Sequence, residues 1–241
     1  MIDEVLAVLK NAKSISVLTG AGISVNAGIP DFRGETGIYT KGLYSENVFD
    51  IYYFLHDPKP FYDFAREMYP VFEKAEPTFT HKFLANLESQ CPVCIVTQNI
   101  DFLHEKAGSK NVIHLHGSVE KSHCLNCRKE YSFDRMKELI KKNVVPHCES
   151  CGGIIKPDVV FFGEPVIDFD KASSCVSDSY VFFALGTSLE VYPANTLVQF
   201  ARGSKILVNK TKTSMDYMFD FVIHEELDTF FKELQNKGGL I

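Results

Sequence analysis

Short apolar runs recur along the chain: ISVL (15–18), VCIV (93–96), VIHL (112–115), VVFF (159–162), YVFFAL (180–185) and KILV (205–208). Each is rich in β-branched or aromatic residues and bounded by Gly, Asn or Pro, which predicts buried strands. Between several of them the apolar positions recur at helical spacing instead. The segment opening at Asp57-Pro58 and running through FYDFAREMYPVF predicts a helix capped by Asp57, with Pro58 in its first position. THKFLANLESQ (80–90), PANTLVQFA (193–201) and ELDTFFKELQN (226–236) predict three more, and MIDEVLAVLKNAK an amphipathic helix at the N-terminus. Strands alternating with helices imply an α/β fold, a doubly wound parallel sheet covered on both faces.

Two segments break this rhythm. Residues 35–76 hold helices with no strand between them, and residues 119–156 hold two cysteine pairs in a polar, charged stretch. Both read as insertions expected to form one smaller domain, a helical part and a cysteine module. Residues 1–34, 77–118 and 157–241 remain for a larger, Rossmann-like domain.

Composition narrows the class. With 45% apolar and 23% charged residues in 241, the chain reads as an ordinary globular protein. No apolar stretch approaches the ~20 residues of a membrane span, and the early acids Asp3 and Glu4 argue against a secretory signal. No membrane association is expected. The net charge of −6 argues against a nucleic-acid partner, whose phosphates call for a basic face; KELIKK (137–142) is the densest lysine cluster. Seven cysteines form three Cys-x-x-Cys pairs plus Cys175. This pattern points to metal or redox chemistry before structural disulfides, and to a reducing cytoplasm.

The first strand run leads into TGAGISVNAGIPDFRG (19–34). Gly20-Ala21-Gly22 suits close backbone approach to a pyrophosphate at a helix N-terminus, although an ordinary tight turn reads the same way. The hydride-carrier fingerprint wants a third glycine where Val25 stands, and a later acidic residue that is missing here. In the loop that follows, Asp31, Phe32 and Arg33 are consecutive. Phe32 can cover a ring and Arg33 can pair with phosphate or ribose; the alternative is a surface turn with an apolar plug.

TQNID (97–101) and HLHGS (114–118) fall at the carboxyl ends of strand runs, where open α/β sheets bind ligands. Asn99 and Asp101, two apart, face one way in extended chain, as do His114 and His116. Asn99 can orient a ribose or a water, or merely cap the helix that follows. Strand-end histidines are commonly structural, and His114, His104 and His81 are read so. Cys124-x-x-Cys127 and Cys148-x-x-Cys151 predict a closed, four-thiolate structural zinc site. Cys91 and Cys94 point to opposite faces of a strand and cannot chelate one ion. They and Cys175 are read as small core residues or bystanders.

Taken in order, GAGIS (20–24), GIPDFRG (28–34), TQNID, HLHGS, the two zinc pairs, FFGE (161–164), GTSLEVYP (186–193) and LVN (207–209) make the chain resemble the sirtuin family of NAD-dependent protein deacylases. The resemblance implies that NAD is consumed, not used as a hydride carrier. An acyl-lysine oxygen would attack C1′ of the nicotinamide ribose, nicotinamide would leave, and the resulting alkylimidate would pass its acyl group to the 2′-hydroxyl as 2′-O-acetyl-ADP-ribose. By the same resemblance His116 is the general base, with Asn99 and Asp101 also catalytic. The NAD site would comprise Gly20, Ala21, Gly22, Val25, Asp31, Phe32, Arg33, Gln98, Asn99, Ile100, Asp101 and His116. Gly186, Thr187 and Ser188 would face phosphate, Asn209 the adenosine ribose, and Glu226 the adenine end. Val160, Phe161, Phe162, Gly163, Glu164 and Val191 would line the cleft for an acyl-lysine protein or peptide, bound as an added strand. Family members that prefer succinyl or malonyl groups carry Tyr-x-x-Arg in a helix after the cofactor loop. Here Tyr62 is followed at that spacing by Ala65, with Arg66 one residue on, so acetyl and uncharged longer acyl groups are expected. A monomer is expected. Mono-ADP-ribosyl transfer from the same NAD site is the alternative reading, and a non-enzymatic zinc-and-nucleotide module a third.

Overall fold

The computed structural model describes residues 1–32, 34, 37–38, 40–42 and 44–238. Its strands are β1 (Ile15–Thr19), β2 (Val93–Thr97), β3 (Val112–His114), β4 (Gly117–Cys124), β5 (Glu130–Ser132), β6 (Ile155–Val159), β7 (Val181–Leu185), β8 (Ser204–Val208) and β9 (Phe221–Ile223). The α-helices are α1 (Ile2–Lys10), α2 (Ile51–His56), α3 (Lys59–Lys74), α4 (Phe79–Leu87), α5 (Leu103–Ala107), α6 (Phe133–Lys142), α7 (Phe169–Ser177), α8 (Leu197–Phe200) and α9 (Leu227–Gly238). Among the described residues no helix is long and apolar enough to cross a membrane.

Six strands form one parallel sheet in the order β3-β2-β1-β7-β8-β9, the doubly wound arrangement. Residues along β1 and β7 are buried without exception, as strands covered on both faces must be. Side chains alternate between the faces. Val17, Ile95, Phe183 and Ile206 pack with Leu84 of α4 and with Phe230 and Phe231 of α9. Leu18, Val96, Phe182 and Leu207 pack with Val176 of α7 and Leu197 of α8. Each such buried side chain contributes about 1.5–3 kcal/mol relative to exposure. In register, Thr19 pairs with both Thr97 and Leu185, and Leu185 with Val208. The strands therefore deliver their next residues to one edge. Strand order reverses between β1 and β7, and the ligand crevice of such sheets opens there.

A second, antiparallel sheet has the order β5-β4-β6. One apolar cluster runs through both insertions, joining Phe54, Phe61, Phe64 and Phe72 to Tyr131, Met136, Ile140 and Ile155.

Several local expectations are corrected. VVFF is not a strand of the main sheet: only Val159 lies in a strand, as the last residue of antiparallel β6. Pro157 sits in that strand, which suits a short strand at the sheet's edge better than a central one. PANTLVQFA is broken into a 3₁₀ turn (Ala194–Thr196) and the four-residue α8. Helix α3 begins one residue later than expected, with Pro58 before it and Asp57 Oδ1 accepting from the Lys59 N–H.

Cys94 and Cys175 are not bystanders. They are joined by a disulfide between β2 and α7, with Cα atoms 6.4 Å apart, inside the range a disulfide spans. Separated by 81 residues, they meet only because α7 covers the sheet face that Cys94 shares with Val96. Cys91, just before β2, is free and packs with the opposite face, beside Val93 and Ile95.

Candidate active site

A cavity of about 640 Å³ opens at the carboxyl edge of the main sheet and continues toward the small sheet. Its first wall is the glycine turn. A Cβ on Gly20 would lie 2.8 Å from the Gly186 oxygen, and one on Gly22 2.7 Å from Gly186 Cα. These glycines let the turns after β1 and β7 pack backbone to backbone, tied by the Gly22 N–H to the Gly186 oxygen at 2.9 Å. The segment after Gly20 is a 3₁₀ helix (Ala21–Ala27), not the α-helix expected there, and Gly28 ends it at φ 87°. Ala21 and Val25 line the cavity beside the glycines.

The second wall is TQNID. Asn99 and Asp101, both buried, converge on one hydroxyl: Asn99 Nδ2 donates to Ser24 Oγ at 3.2 Å, and Ser24 Oγ donates to Asp101 Oδ2 at 2.9 Å. Asp101 Oδ1 accepts the Leu103 N–H at the start of α5, so Asp101 rather than Asn99 serves that helix. Burial raises the Asp101 pKa, against the lowering effect of its Leu103 and Ser24 bonds. Ser24 was missed as a site residue, although it closes GAGIS; no pattern of spacing tied it to TQNID, 75 residues away.

His116 occupies the corner where the two walls meet the small sheet. Its Nδ1 lies 2.8 Å from the Gln98 carbonyl oxygen. A carbonyl only accepts, so Nδ1 carries the proton and Nε2 keeps its lone pair. Burial lowers the His116 pKa, partly opposed by the Gln98 bond, so the ring is neutral at pH 7. Gln98 is held in turn by Nε2 donation to Thr187 Oγ1 at 3.0 Å. His114 faces elsewhere and pairs with Glu105 at 2.6 Å. Burial pulls its pKa down, but the Glu105 pairing outweighs this and leaves it raised.

On the side of the small sheet, the Val160 N–H donates to the His116 carbonyl at 2.8 Å. Phe162 donates to Phe49 and accepts from Ile51, while Gly163 turns the chain at φ 91°. Lys156, unnoticed in the sequence, braces this turn. Its buried ammonium donates to the Val159 carbonyl at 2.6 Å and Glu164 Oε2 at 2.9 Å, and lies 4.3 Å from the Phe161 ring centre. Glu164 Oε2 also accepts the Phe161 N–H. Val191 lines the opposite rim. The inner wall is apolar, formed by Phe49, Phe64, Met68, Phe72, Val159 and Phe161. Arg66 is not among the lining residues; it bonds Asp63, the Tyr62 carbonyl and the Val144 carbonyl. Tyr62 is buried with its hydroxyl on the Ile155 carbonyl.

The remaining dinucleotide candidates lie along the same cavity. Gly186, Thr187, Ser188, Ile100 and Asn209 line it, Asn209 with Nδ2 bonded to the Thr211 carbonyl at 2.8 Å. Glu226 lies at the rim with its carboxylate engaged by Asn26 Nδ2 and by the Asp228 and Thr229 N–H groups at the start of α9. Phe32 packs edge-on to Phe49, ring centres 5.9 Å apart; Arg33 lies outside the described residues. Asp31 Oδ1 is buried without a hydrogen-bond partner among the described residues. A glycine cradle, donors along one edge and an unsatisfied acceptor fit a dinucleotide that lies along the crevice.

None of the four paired cysteines lines this cavity. The Sγ atoms of Cys124, Cys127, Cys148 and Cys151 all lie within 4.8 Å of one another, with Cys124–Cys151 at 3.4 Å and Cys127–Cys148 at 3.6 Å. A tetrahedron with Zn–S bonds of about 2.3 Å has edges of about 3.8 Å, so the set fits one zinc with no open position. The Tyr131 hydroxyl beside Cys148 holds that thiol down at about 6, favouring the thiolate a metal requires.

Residues 20–193 match the Sir2 family model. The NAD-dependent protein deacetylase of Thermotoga maritima is 40% identical over 246 residues, covering 99% of each chain. A solved structure of Sir2 H116A with deacetylated p53 peptide and 3'-O-acetyl ADP ribose superposes with a TM-score of 0.95 at 38% identity, covering 100% of this chain and 99% of the other. A Sir2–p53 peptide–NAD+ structure gives 0.91 at 37%, covering 100% of both.

Proposed function

The chain belongs to the Sir2 family and is an NAD-dependent protein deacetylase, and from that premise we propose how its own residues divide the reaction. His116 is the general base, and the observation that carries this is the Nδ1 bond to the Gln98 carbonyl, which leaves Nε2 unprotonated at the cavity. Bound NAD supplies an electrophilic ribose carbon, nicotinamide as leaving group, and ribose hydroxyls as acyl acceptors. Asn99 and Asp101, held by Ser24, orient the nicotinamide side. Gly20, Gly22, Gly186, Thr187 and Ser188 hold the phosphates, and Asn209 the adenosine ribose. Phe32 and the apolar inner wall exclude water. An acyl-lysine protein or peptide lies between the Val160–Glu164 segment and Val191. The small sheet with both insertions acts as one unit that carries that side of the cleft, and zinc holds it together without touching substrate.

Incubation with an acetyl-lysine peptide and NAD is expected to give deacetylated peptide, nicotinamide and O-acetyl-ADP-ribose by mass spectrometry. The succinylated peptide is expected to react at least tenfold more slowly, because a carboxylate against the inner wall of Phe49, Phe64, Met68, Phe72, Val159 and Phe161, which offers no cation among the described residues, costs about 1.4 kcal/mol or more. NAD consumption with ADP-ribose on protein and the peptide still acetylated would replace this reading with ADP-ribosyl transfer.

The pH profile follows from the His116 environment. Burial lowers its pKa, so the neutral base persists below the usual histidine value of about 6.5. kcat/KM is expected to hold flat from pH 8 down to 6.5, then fall tenfold per unit below its depressed midpoint. An acid limb centred above 6.5 would show that His116 is not the titrating base.

A further inference from the structure

Two buried histidines lie beneath TQNID without touching the cavity. His104 on α5 and His81 on α4 are 1% and 0% exposed, and their ring centres are 4.7 Å apart. Their tautomers follow from their neighbours. The Thr78 N–H donates to His81 Nδ1, so the His81 proton is on Nε2. Thr19 Oγ1 donates its one hydroxyl proton to Thr97 Oγ1 at 2.9 Å. The contact of 3.1 Å between Thr19 Oγ1 and His104 Nε2 must therefore run from an Nε2–H to the oxygen. That leaves His104 Nδ1 a bare acceptor and His81 Nε2 a bare donor, and these two buried atoms lack any other partner among the described residues. Desolvation lowers both histidine pKa values, to about 4 for His81, so both rings stay neutral.

The chain of bonds ends on the active site. Thr97 Oγ1 accepts from Thr19 and from the Asn99 backbone N–H at 3.0 Å. The Gln98 N–H donates to the Thr19 carbonyl at 2.9 Å, and the Gln98 carbonyl fixes His116. The circuit closes through Ser24, Asp101 and the Leu103 N–H, one residue from His104 on the same helix. We propose that His104, backed by His81, is a positioning residue for deacetylation: its Nε2–H orders the Thr19 and Thr97 hydroxyls, which aim Asn99 and set the Gln98 carbonyl under His116. The inference rests on the roles given above to Asn99 and His116.

The test compares His104→Met, His104→Gln, Thr97→Val and Asn99→Ala in the zinc-loaded full chain, measuring kcat, KM for both substrates, and melting temperature. Met fills the space without a donor, Gln can restore an N–H near Nε2, and Val removes the Thr97 hydroxyl at equal volume. His104→Met and Thr97→Val are each expected to lower kcat about tenfold or more, since small misplacements of reacting groups have effects up to about 100-fold. Peptide KM should stay within about twofold. His104→Gln should recover kcat to within about threefold of the parent, and a double variant carrying both His104→Met and Thr97→Val should lose little beyond either single one, because both act through one bond chain. If His104→Met does not fold, Thr97→Val alone carries the test. Unchanged kcat in Thr97→Val with Asn99→Ala inactive overturns the positioning role only. Fully additive losses overturn it too, since independent packing defects add. An active Asn99→Ala overturns the reading of Asn99 and this inference with it.

Discussion

His116→Ala is expected to lower the deacetylation kcat by about 10²–10⁴-fold, the range of a positioned general base, with the fold intact. Among the described residues the side chain makes one hydrogen bond, from Nδ1 to the Gln98 carbonyl, so its removal strips the reaction of the Nε2 lone pair and the structure of little else. The melting temperature should move by only a few degrees, as about 1 kcal/mol does in a chain of this size. NAD and peptide should still bind, because the glycine turns, Asn99 and the Val160–Glu164 segment do not depend on the imidazole. His116→Gln separates orientation from basicity: its amide can bond the Gln98 carbonyl yet cannot accept a proton at pH 7. A glutamine variant as slow as the alanine one assigns the loss to the missing base. Activity within tenfold of the parent in either variant would move the base elsewhere.

Stripping the zinc is the second large effect. Four thiolates gathered within 4.8 Å repel one another without a cation, and structural zinc binding contributes about 10 kcal/mol or more to such modules. That approaches the whole stability of an ordinary domain, about 5–15 kcal/mol. The cysteines stand at the end of β4 and in the loops flanking β5 and α6, and the apolar cluster there continues into α3 and Phe161. Losing the metal should therefore unravel the small sheet and, through Phe161 and Val160, the acyl side of the cavity. A chelator is expected to abolish deacetylation and open amide exchange across 117–159 while the main-sheet amides stay protected. Stoichiometric zinc should restore both. Removal of one equivalent of zinc with activity and exchange unchanged would sink this account.

The main sheet was legible because its strands announce themselves. Continuous β-branched and aromatic runs such as VCIV and YVFFAL, short and bounded by turn residues, read as strands buried on both faces, and the helices between them suggest parallel order. The small sheet was not. GSVEKSHC keeps only its glycine, Val119, Ser122 and Cys124 buried, so half of it reads as loop, and EYS is three residues long. VVFF misled because its apolarity serves a cavity wall: Phe161 fills the core shared by the insertions, whereas Phe162 is 42% exposed at the cleft. At the site, residues whose chemistry is local were legible: the four cysteines do cluster, and Asn99, Asp101 and His116 do line one cavity. Residues that work by contact across the fold were not. Ser24, Lys156 and the Cys94–Cys175 bridge acquire meaning only when distant segments meet, and His104 looks like any core histidine until its tautomer is worked out.

The single bond from the Val160 N–H to the His116 carbonyl has an evolutionary consequence. It ties the peptide unit of Val160, in the strip proposed to read the acyl-lysine, to that of His116, the proposed base. Selection for a new acyl group that shifts Val160 also shifts the footing of the base, so specificity and turnover cannot drift apart freely. Variation is cheapest where that bond is left undisturbed, on the inner wall contributed by α3 at Phe64, Met68 and Phe72. Relatives with altered acyl taste should therefore differ in that helix while leaving the Val160 backbone where it is.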